Sequence, residues 1–433
     1  MYSTLVITGL CLASLLSGME QSGQQSQAAY EDSSQSYYVV TEEKSPTLSL
    51  CKIISFPCKV LFSPFYLLDY GLEKGLLAIE KRNLIIRGAY LFSWFGEHDI
   101  AANLGGLGPG SGIGGGITVS RDNLFKSPLD ASISAGLSTS LYQDHRVSLS
   151  TSSENGLFFD TEAGYAIKHR QVFYGLGPKT HESDTTFWGS EETFLDFQLG
   201  ALLGKSVKIT GCANYQNRRV YVARNASPLI EEVHSELPGL DGAELASVAA
   251  SVMHDSRDKP GDPFSGGTEY VSFGFSRDVS GQPFRFLDYT FEITRYFTMI
   301  REGRRVSVRL LYERTYPLEN NEIPFFSMVR LGGGTSLRGY PEDRFWGTQA
   351  ACLNLEYSYP IWRRWRGIVD AVIFADIGQV FEDFSDIHSG SLRKTYGGGI
   401  RVKSPNTVVL RLEVGRSPEG IRAMLNLSPP FIR

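Results

Sequence analysis

The sequence predicts an all-β protein: a transmembrane antiparallel β-barrel of about sixteen strands, preceded by a short amphipathic helical segment. Three observations predict it. From residue 112 onward, apolar and polar residues alternate with period two, over segments long enough to cross a bilayer when tilted. The composition favours strands and turns, with 12% aromatic residues and 45 glycines against 21% charged residues. Aromatic residues recur near expected strand ends, at Tyr142, Phe158, Phe173, Tyr174, Tyr359 and Trp362.

Bulk properties exclude several classes. The chain has 433 residues and a formal net charge of -5, which argues against nucleic acid as a partner. Mean hydropathy is -0.14. Past the N-terminus no run of about 18 apolar residues occurs, so this is not a helical membrane protein. The five cysteines (Cys11, Cys51, Cys58, Cys212 and Cys352) are odd in number and scattered, without zinc-type spacing. They read as unpaired apolar thiols, and no metal or cofactor is expected.

Residues 1–28 read as a signal peptide, with an apolar core from Leu5 to Leu16 and a small-x-small site at Ser26-Gln27-Ala28. Residues 29–47, rich in Ser, Gln and Glu, read as a flexible polar linker. Residues 48–83 form the amphipathic segment. After Pro64, Phe65, Leu68, Leu72, Leu76 and Ile79 recur at helical spacing, with Asp69, Glu73 and Glu80 elsewhere on the wheel. Its apolar face suits either the membrane surface or the barrel mouth. Residues 84–111 lead into a barrel over 112–433.

Within the barrel, strands are expected to begin near residues 112, 129, 145, 157, 191, 205, 243, 268, 287, 303, 324, 347, 367, 393, 407 and 420. Leu129, Ala131, Ile133, Ala135 and Leu137 alternate with Asp130, Ser132, Ser134 and Ser138. Val306, Val308 and Leu310 alternate with Arg305, Ser307 and Arg309, and Val408, Leu410, Leu412 and Val414 with Arg411 and Glu413. A soluble sandwich would alternate in the same way. Strand length, the aromatics and an asymmetry of connections favour the membrane barrel. A short turn at 415–420 and a long loop at 217–242 are assigned to opposite ends, periplasmic and external.

Two segments carry the sharpest signal. One reads Leu331-Gly332-Gly333-Gly334-Thr335-Ser336-Leu337-Arg338-Gly339-Tyr340, and the other Phe374-Ala375-Asp376-Ile377-Gly378. An Arg in a glycine-bounded loop and an inward-pointing strand Asp are able to form a buried bidentate pair. Glu356 shares the inward parity and is an alternative or additional partner. The closing junction is the second feature. Gly112, Gly114, Gly115 and Gly116 weaken the expected first strand, while Leu425, Leu427 and Phe431 lie at the other end around Pro429 and Pro430, which donate no ladder hydrogen bonds.

These two segments resemble the LRGY-type loop motif and the FxDxG-type strand motif of BamA/TamA-type outer-membrane barrels, the bacterial surface antigen superfamily. Phe173-Tyr174-Gly175-Leu176-Gly177-Pro178 and Asp255-Ser256-Arg257-Asp258 resemble further segments of that superfamily. The resemblance implies a sixteen-stranded barrel in the bacterial outer membrane. It implies a loop folded back into the lumen with Arg338 on Asp376 and Tyr340 beside them. It also implies a non-catalytic role in inserting or translocating proteins or lipids through the weak seam. The implied partners are outer-membrane lipids, client outer-membrane proteins or lipids, and the barrel assembly machinery for the protein's own insertion. Family members carry periplasmic POTRA domains, and no β-α-α-β-β pattern precedes residue 112, so the chain reads as a member lacking them. Ile432 and Arg433 follow Phe431, whereas the family usually ends on the aromatic residue.

Two other readings remain open: a non-catalytic pore or surface-exposed structural barrel, and a barrel-embedded lipid hydrolase. The hydrolase is disfavoured because the sequence contains no GxSxG elbow. A phosphate-loop lookalike at Gly200–Ser206 and a GxGxxG at Gly110, Gly112 and Gly115 both run into strands rather than helices.

Overall fold

The computed structural model describes residues 100–433 except 106, 109, 153–155, 300–302, 365–366, 389, 404–407, 427–429 and 432–433. The expected signal peptide, linker and amphipathic segment lie outside the described residues, as does Leu427.

The first strands are β1 (Ile100–Gly105), β2 (Gly114–Arg121), β3 (Leu129–Ser138), β4 (Gln143–Ser152), β5 (Leu157–Phe173) and β6 (Thr186–Leu203). They continue as β7 (Val207–Tyr221), β8 (Ala243–Asp255), β9 (Gly266–Asp278), β10 (Arg285–Thr298) and β11 (Arg305–Pro317). Two short strands follow, β12 (Val329–Leu331) and β13 (Phe345–Gly347), and then β14 (Gln349–Arg364), β15 (Gly367–Phe381), β16 (Arg393–Lys403), β17 (Val408–Ser417) and β18 (Gly420–Asn426). One short helix, α1 (Ile230–Val233), lies between β7 and β8. All strands but β12 and β13 form one sixteen-stranded antiparallel sheet in chain order, and β12 and β13 pair separately. The sheet is that of a membrane β-barrel, with β1 and β18 as its two ends. No ladder joins those ends among the described residues.

The expected count of sixteen results from two compensating errors. The sheet begins at β1, ahead of the expected start at 112, and the strand expected near 324 is no wall strand, since Phe325–Ser327 form a 3-10 turn that leads into the short β12 inside a long connection. Omitting β1 inverts the assigned end of every connection up to that point. The long loop 222–242 and the two-residue turn 418–419 therefore lie at the same end, not at opposite ends. That end carries all the long connections (174–185, 222–242, 318–348 and 382–392).

The sheet is polar inside and apolar outside. On β16, Arg401 is fully buried while Ile400 is 41% exposed, and on β17 Glu413 is buried while Leu412 and Val414 are exposed. Ile133, Leu137 and Leu310 also face outward, as their alternation requires. Val408 is an exception. A register irregularity between Val402 and Lys403 shifts the pairing, and Val408 turns to the buried side.

The long-connection end has an apolar core of its own. Phe173, Trp188, Ile230, Phe284, Phe325, Phe326 and Trp346 pack as one buried cluster drawn from three connections and from β5 and β6. Trp346 and Phe173 meet edge to face at 5.2 Å. The Phe173–Pro178 segment docks there too, with the Gly177 N–H donating to the Trp346 carbonyl at 2.8 Å. A second cluster under connection 318–348 joins Leu331, Leu337, Tyr340 and Phe345 to Cys352 and Val380 on the wall.

Candidate functional site

Inward parity on four neighbouring strands places the polar groups of the site. β14 presents Asn354 and Glu356, β15 presents Asp376, β16 presents Thr395 and Arg401, and β17 presents Arg411 and Glu413, all buried. Connection 318–348 folds in among them and delivers Arg338, whose side chain is 1% exposed. The Arg338 Nε donates to Asp376 Oδ2 at 3.0 Å, and Nη2 donates to Oδ1 at 2.7 Å. The Arg338 backbone N–H adds a third bond to Oδ2 at 3.1 Å. Asn354 Nδ2 and Thr395 Oγ1 also donate to Asp376, at 2.8 and 3.2 Å.

The network extends beyond that pair. Arg338 Nη1 lies 2.8 Å from Glu356 Oε2. Arg401 grips both Glu356 oxygens, at 2.5 and 2.6 Å, and also bonds Glu413 Oε1 at 2.6 Å. Arg411 Nη2 approaches Glu413 Oε2 at 4.0 Å. Three guanidiniums (Arg338, Arg401, Arg411) thus face three carboxylates (Asp376, Glu356, Glu413), and the buried charges balance. Desolvation opposes every one of these charges, so each needs its partners in place. For Arg338, burial alone would lower the pKa. The hydrogen bonds and charge of Asp376, with Glu356 and Glu413, outweigh it and hold the guanidinium above its ordinary value.

Glycines make room for the loop. Gly339 has φ +110, a conformation side chains disfavour, and its backbone presses against Gly415 and Arg416 on β17. A Cβ on Gly415 would stand 2.7 Å from the Arg338 carbonyl and from the Gly339 nitrogen. Phe374 carries the Arg338 guanidinium on its ring face, 3.8 Å from the centroid. Gly378 lies under Leu331 and Leu337. Tyr340 is buried in the apolar cluster, edge to face with Phe345 at 5.0 Å.

The expected seam residues are dispersed. Gly114, Gly115 and Gly116 are on β2, one strand in from the edge, opposite Gly105, Leu104 and Asn103 of β1. Gly112 precedes β2 with φ +70. Leu425 lies on the edge strand β18, opposite Leu412 and 65% exposed. Phe431 is not on an edge strand. Its ring lies 5.6 Å from the Arg338 guanidinium and 5.5 Å from that of Arg309, inside the lumen.

Several partners escaped the motif reading. Arg401 and Glu413 sit outside both motifs, and only their inward parity marks them. Arg344, fully buried within connection 318–348, pairs with Glu419 in the β17–β18 turn at 2.7 Å and donates to the Thr180 carbonyl at 2.8 Å. At the opposite end, connection 256–265 turns inward. Asp262 accepts from Arg305 at 2.6 Å and from Lys403 at 2.7 Å, and Lys403 also meets Asp370 at 2.7 Å. The Asp255-Ser256-Arg257-Asp258 segment shapes that connection, with Arg257 Nη2 on Asp255 at 2.5 Å and Asp258 Oδ1 accepting the Phe264 N–H at 2.9 Å. Among the described residues no cluster of three or more His, Cys, Asp or Glu is placed to hold a metal ion.

Residues 123–418 match the family described as the Omp85 superfamily domain. Among solved structures the chain is similar to BamA from Haemophilus ducreyi lacking POTRA domains 1-3, with a TM-score of 0.56 and 12% identity over 75% of this chain and 68% of that one. It also resembles CdiB from Escherichia coli (TM-score 0.49, 15% identity, 76% of this chain and 61% of that one). CdiB from Acinetobacter baumannii gives a TM-score of 0.48 at 14% identity, over 77% of this chain and 56% of that one. Comparison with curated proteins found no match.

Proposed function

Because this chain belongs to the Omp85 superfamily and is an outer-membrane β-barrel, we propose that it assists insertion or translocation of proteins or lipids at the junction between β1 and β18. One observation carries the reading: connection 318–348 is folded into the lumen and tied by Arg338 and Arg344 to β14, β15 and the β17–β18 turn. The strands leading to the β18 edge are thereby coupled to a single inward loop, and a change in the loop is felt at the edge. β1 and β18 are short, six and seven residues, so few ladder bonds are available there. Arg338, Gly339, Tyr340, Glu356, Asp376 and Gly378 hold the loop in this reading. The clients are outer-membrane proteins or lipids.

A second reading is a structural barrel whose lumen charges only stiffen the wall. It is favoured by the second ionic tie at Asp262, which fastens an inward connection at the other end. One experiment separates the two. A cysteine at Leu425 is paired with a cysteine on β1, in a chain whose five native cysteines are replaced by alanine, and membrane composition is compared with the bond oxidised and reduced. Loss of client barrels, or phospholipid appearing in the outer leaflet, on oxidation supports the junction as the route. Full function with the bond closed refutes it and leaves the structural reading.

A further inference from the structure

The outer wall of β9, β10 and β11 carries a patch that the lumen site does not use. Odd-numbered residues of β10 face outward there, since Phe286, Glu292, Thr294 and Tyr296 are buried while Phe291 and Phe297 are exposed. Cross-strand register then lays out the patch row by row. Arg277 stands directly opposite Arg285. Phe275, Leu287 and Tyr316 form the next row, then Phe273, Tyr289 and Arg314, then Val271, Phe291 and Tyr312. A groove of about 580 Å³ lies over the last two of these rows, bordered by Phe273, Tyr289, Phe291, Tyr312 and Arg314, with Tyr316 of the row above at its margin.

The charges here are unbalanced. Like charges directly opposite on one face of a sheet repel, yet Arg277 and Arg285 are so placed. Among the described residues the one ion pair here joins Arg285 to Glu319, at 3.5 Å, and Glu319 is 74% exposed. The Arg285 Nε is buried without a hydrogen-bond partner. Arg314 lies over the Tyr316 ring at 4.8 Å and is in no ion pair among the described residues. The other boundary of β10 differs, because Arg295 there is ion-paired with Glu269. Between Arg285 and Arg295, ten residues of strand span about 33 Å along its tilted axis, which matches the apolar band of a barrel about 25 Å tall. Arg277 and Arg285 therefore stand at one edge of the band, and the aromatic groove lies further into it, past the row of Phe275 and Leu287.

We propose that this patch binds an anionic, phosphate-bearing membrane lipid. Arg277 and Arg285 take the headgroup phosphate, Arg314 supplies a third fork of donors, and the acyl chains lie in the aromatic groove. A phosphate between the two arginines removes their mutual repulsion, and arginine forks suit phosphate oxygens. The rings give the chain a rigid apolar bed.

The test uses the full-length protein, reconstituted into vesicles of equal parts phosphatidylcholine and phosphatidylglycerol, then released in neutral detergent for native mass spectrometry. The wild type is expected to retain phosphatidylglycerol over phosphatidylcholine. The Arg277→Gln/Arg285→Gln variant is expected to lose that preference by about tenfold, and Arg295→Gln to keep it. Folding of each variant is checked by heat-modifiable gel migration. Should the double variant not fold, Arg277→Gln alone, at the edge of the band, gives the same readout. Equal retention of both lipids by the wild type, or an unchanged preference in the arginine variants, overturns the proposal. Displacement of the retained lipid by millimolar inorganic phosphate also overturns it, since that marks a bare anion site with no hold on the acyl chains.

Discussion

Glu356 accepts hydrogen bonds from Arg401 on both of its oxygens, at 2.5 and 2.6 Å, and one of those oxygens is shared with Arg338 at 2.8 Å. The carboxylate is thus the bridge between a loop arginine and a wall arginine. Removing it leaves two guanidiniums buried against each other. Glu356→Gln is expected to destabilise the barrel by about 3–5 kcal/mol, the cost of breaking a buried ion pair. A fall in the temperature of heat-modifiable migration checks it, and an unshifted transition would show that the bridge contributes nothing.

The same bridge decides the outcome of a charge swap. For an isolated Arg338–Asp376 pair, Arg338→Glu combined with Asp376→Arg would restore the attraction. Here the new carboxylate would face Glu356, and the new guanidinium, which has no acceptor, would meet the donors that Asn354 and Thr395 now direct at Asp376. The double swap is therefore expected to recover little of the stability lost in Arg338→Glu, and the interaction energy from a double-mutant cycle measures this.

Gly415 sets how closely the loop approaches the wall. Gly415→Val places atoms within 3 Å of the Arg338 carbonyl, so the loop must lift off β17. We expect faster proteolysis within 318–348 and a lowered unfolding temperature. Gly211→Val on β7, where a Cβ would meet its nearest atom at 3.8 Å, serves as the comparison and should leave the loop protected.

Asp262 closes the other end of the lumen through Arg305 and Lys403. Asp262→Ala leaves the buried Arg305 without its carboxylate, leaves Lys403 with Asp370 alone, and releases connection 256–265. Single-channel conductance in planar bilayers is expected to rise, and stability to fall by about 3–5 kcal/mol. Because its ion pairs share no residue with those of Arg338, the stability losses in Asp262→Ala and Arg338→Ala should add to within about 0.5 kcal/mol.

Glu419 ties the β17–β18 turn to the long loop through Arg344. Glu419→Gln weakens this tie while the Arg344 bonds to Thr180 remain. Hydrogen exchange is expected to speed up at 417–420 and to stay unchanged at β14 and β15. A uniform change across the sheet would point to global destabilisation instead.

The alternation of Arg305, Ser307 and Arg309 with Val306, Val308 and Leu310 is enough to specify strands and their two faces, because side-chain direction in a strand has a period of two whatever the partner. The glycine-bounded Arg338 and the strand Asp376 were legible for a similar reason: each is a local pattern with one evident use. Other features required the folded chain. The β1 strand escaped notice because Ile100–Gly105 is short and its pairing with β2 is a matter of register. The segment near 324 has strand-like residues, but Phe325 and Phe326 pack inside a connection instead of joining the wall. Arg401 and Glu413, twelve residues apart on neighbouring strands, meet Arg338 only after barrel curvature brings four strands around one loop. Phe431 illustrates the limit most sharply. Its place near the chain end suggested an edge strand, and the tertiary structure put its ring beside two buried arginines, because an aromatic face stabilises a cation that burial has taken out of water. Periodicity thus determined which groups point inward, and the curvature of the sheet around the inward loop decided which of those groups are partners.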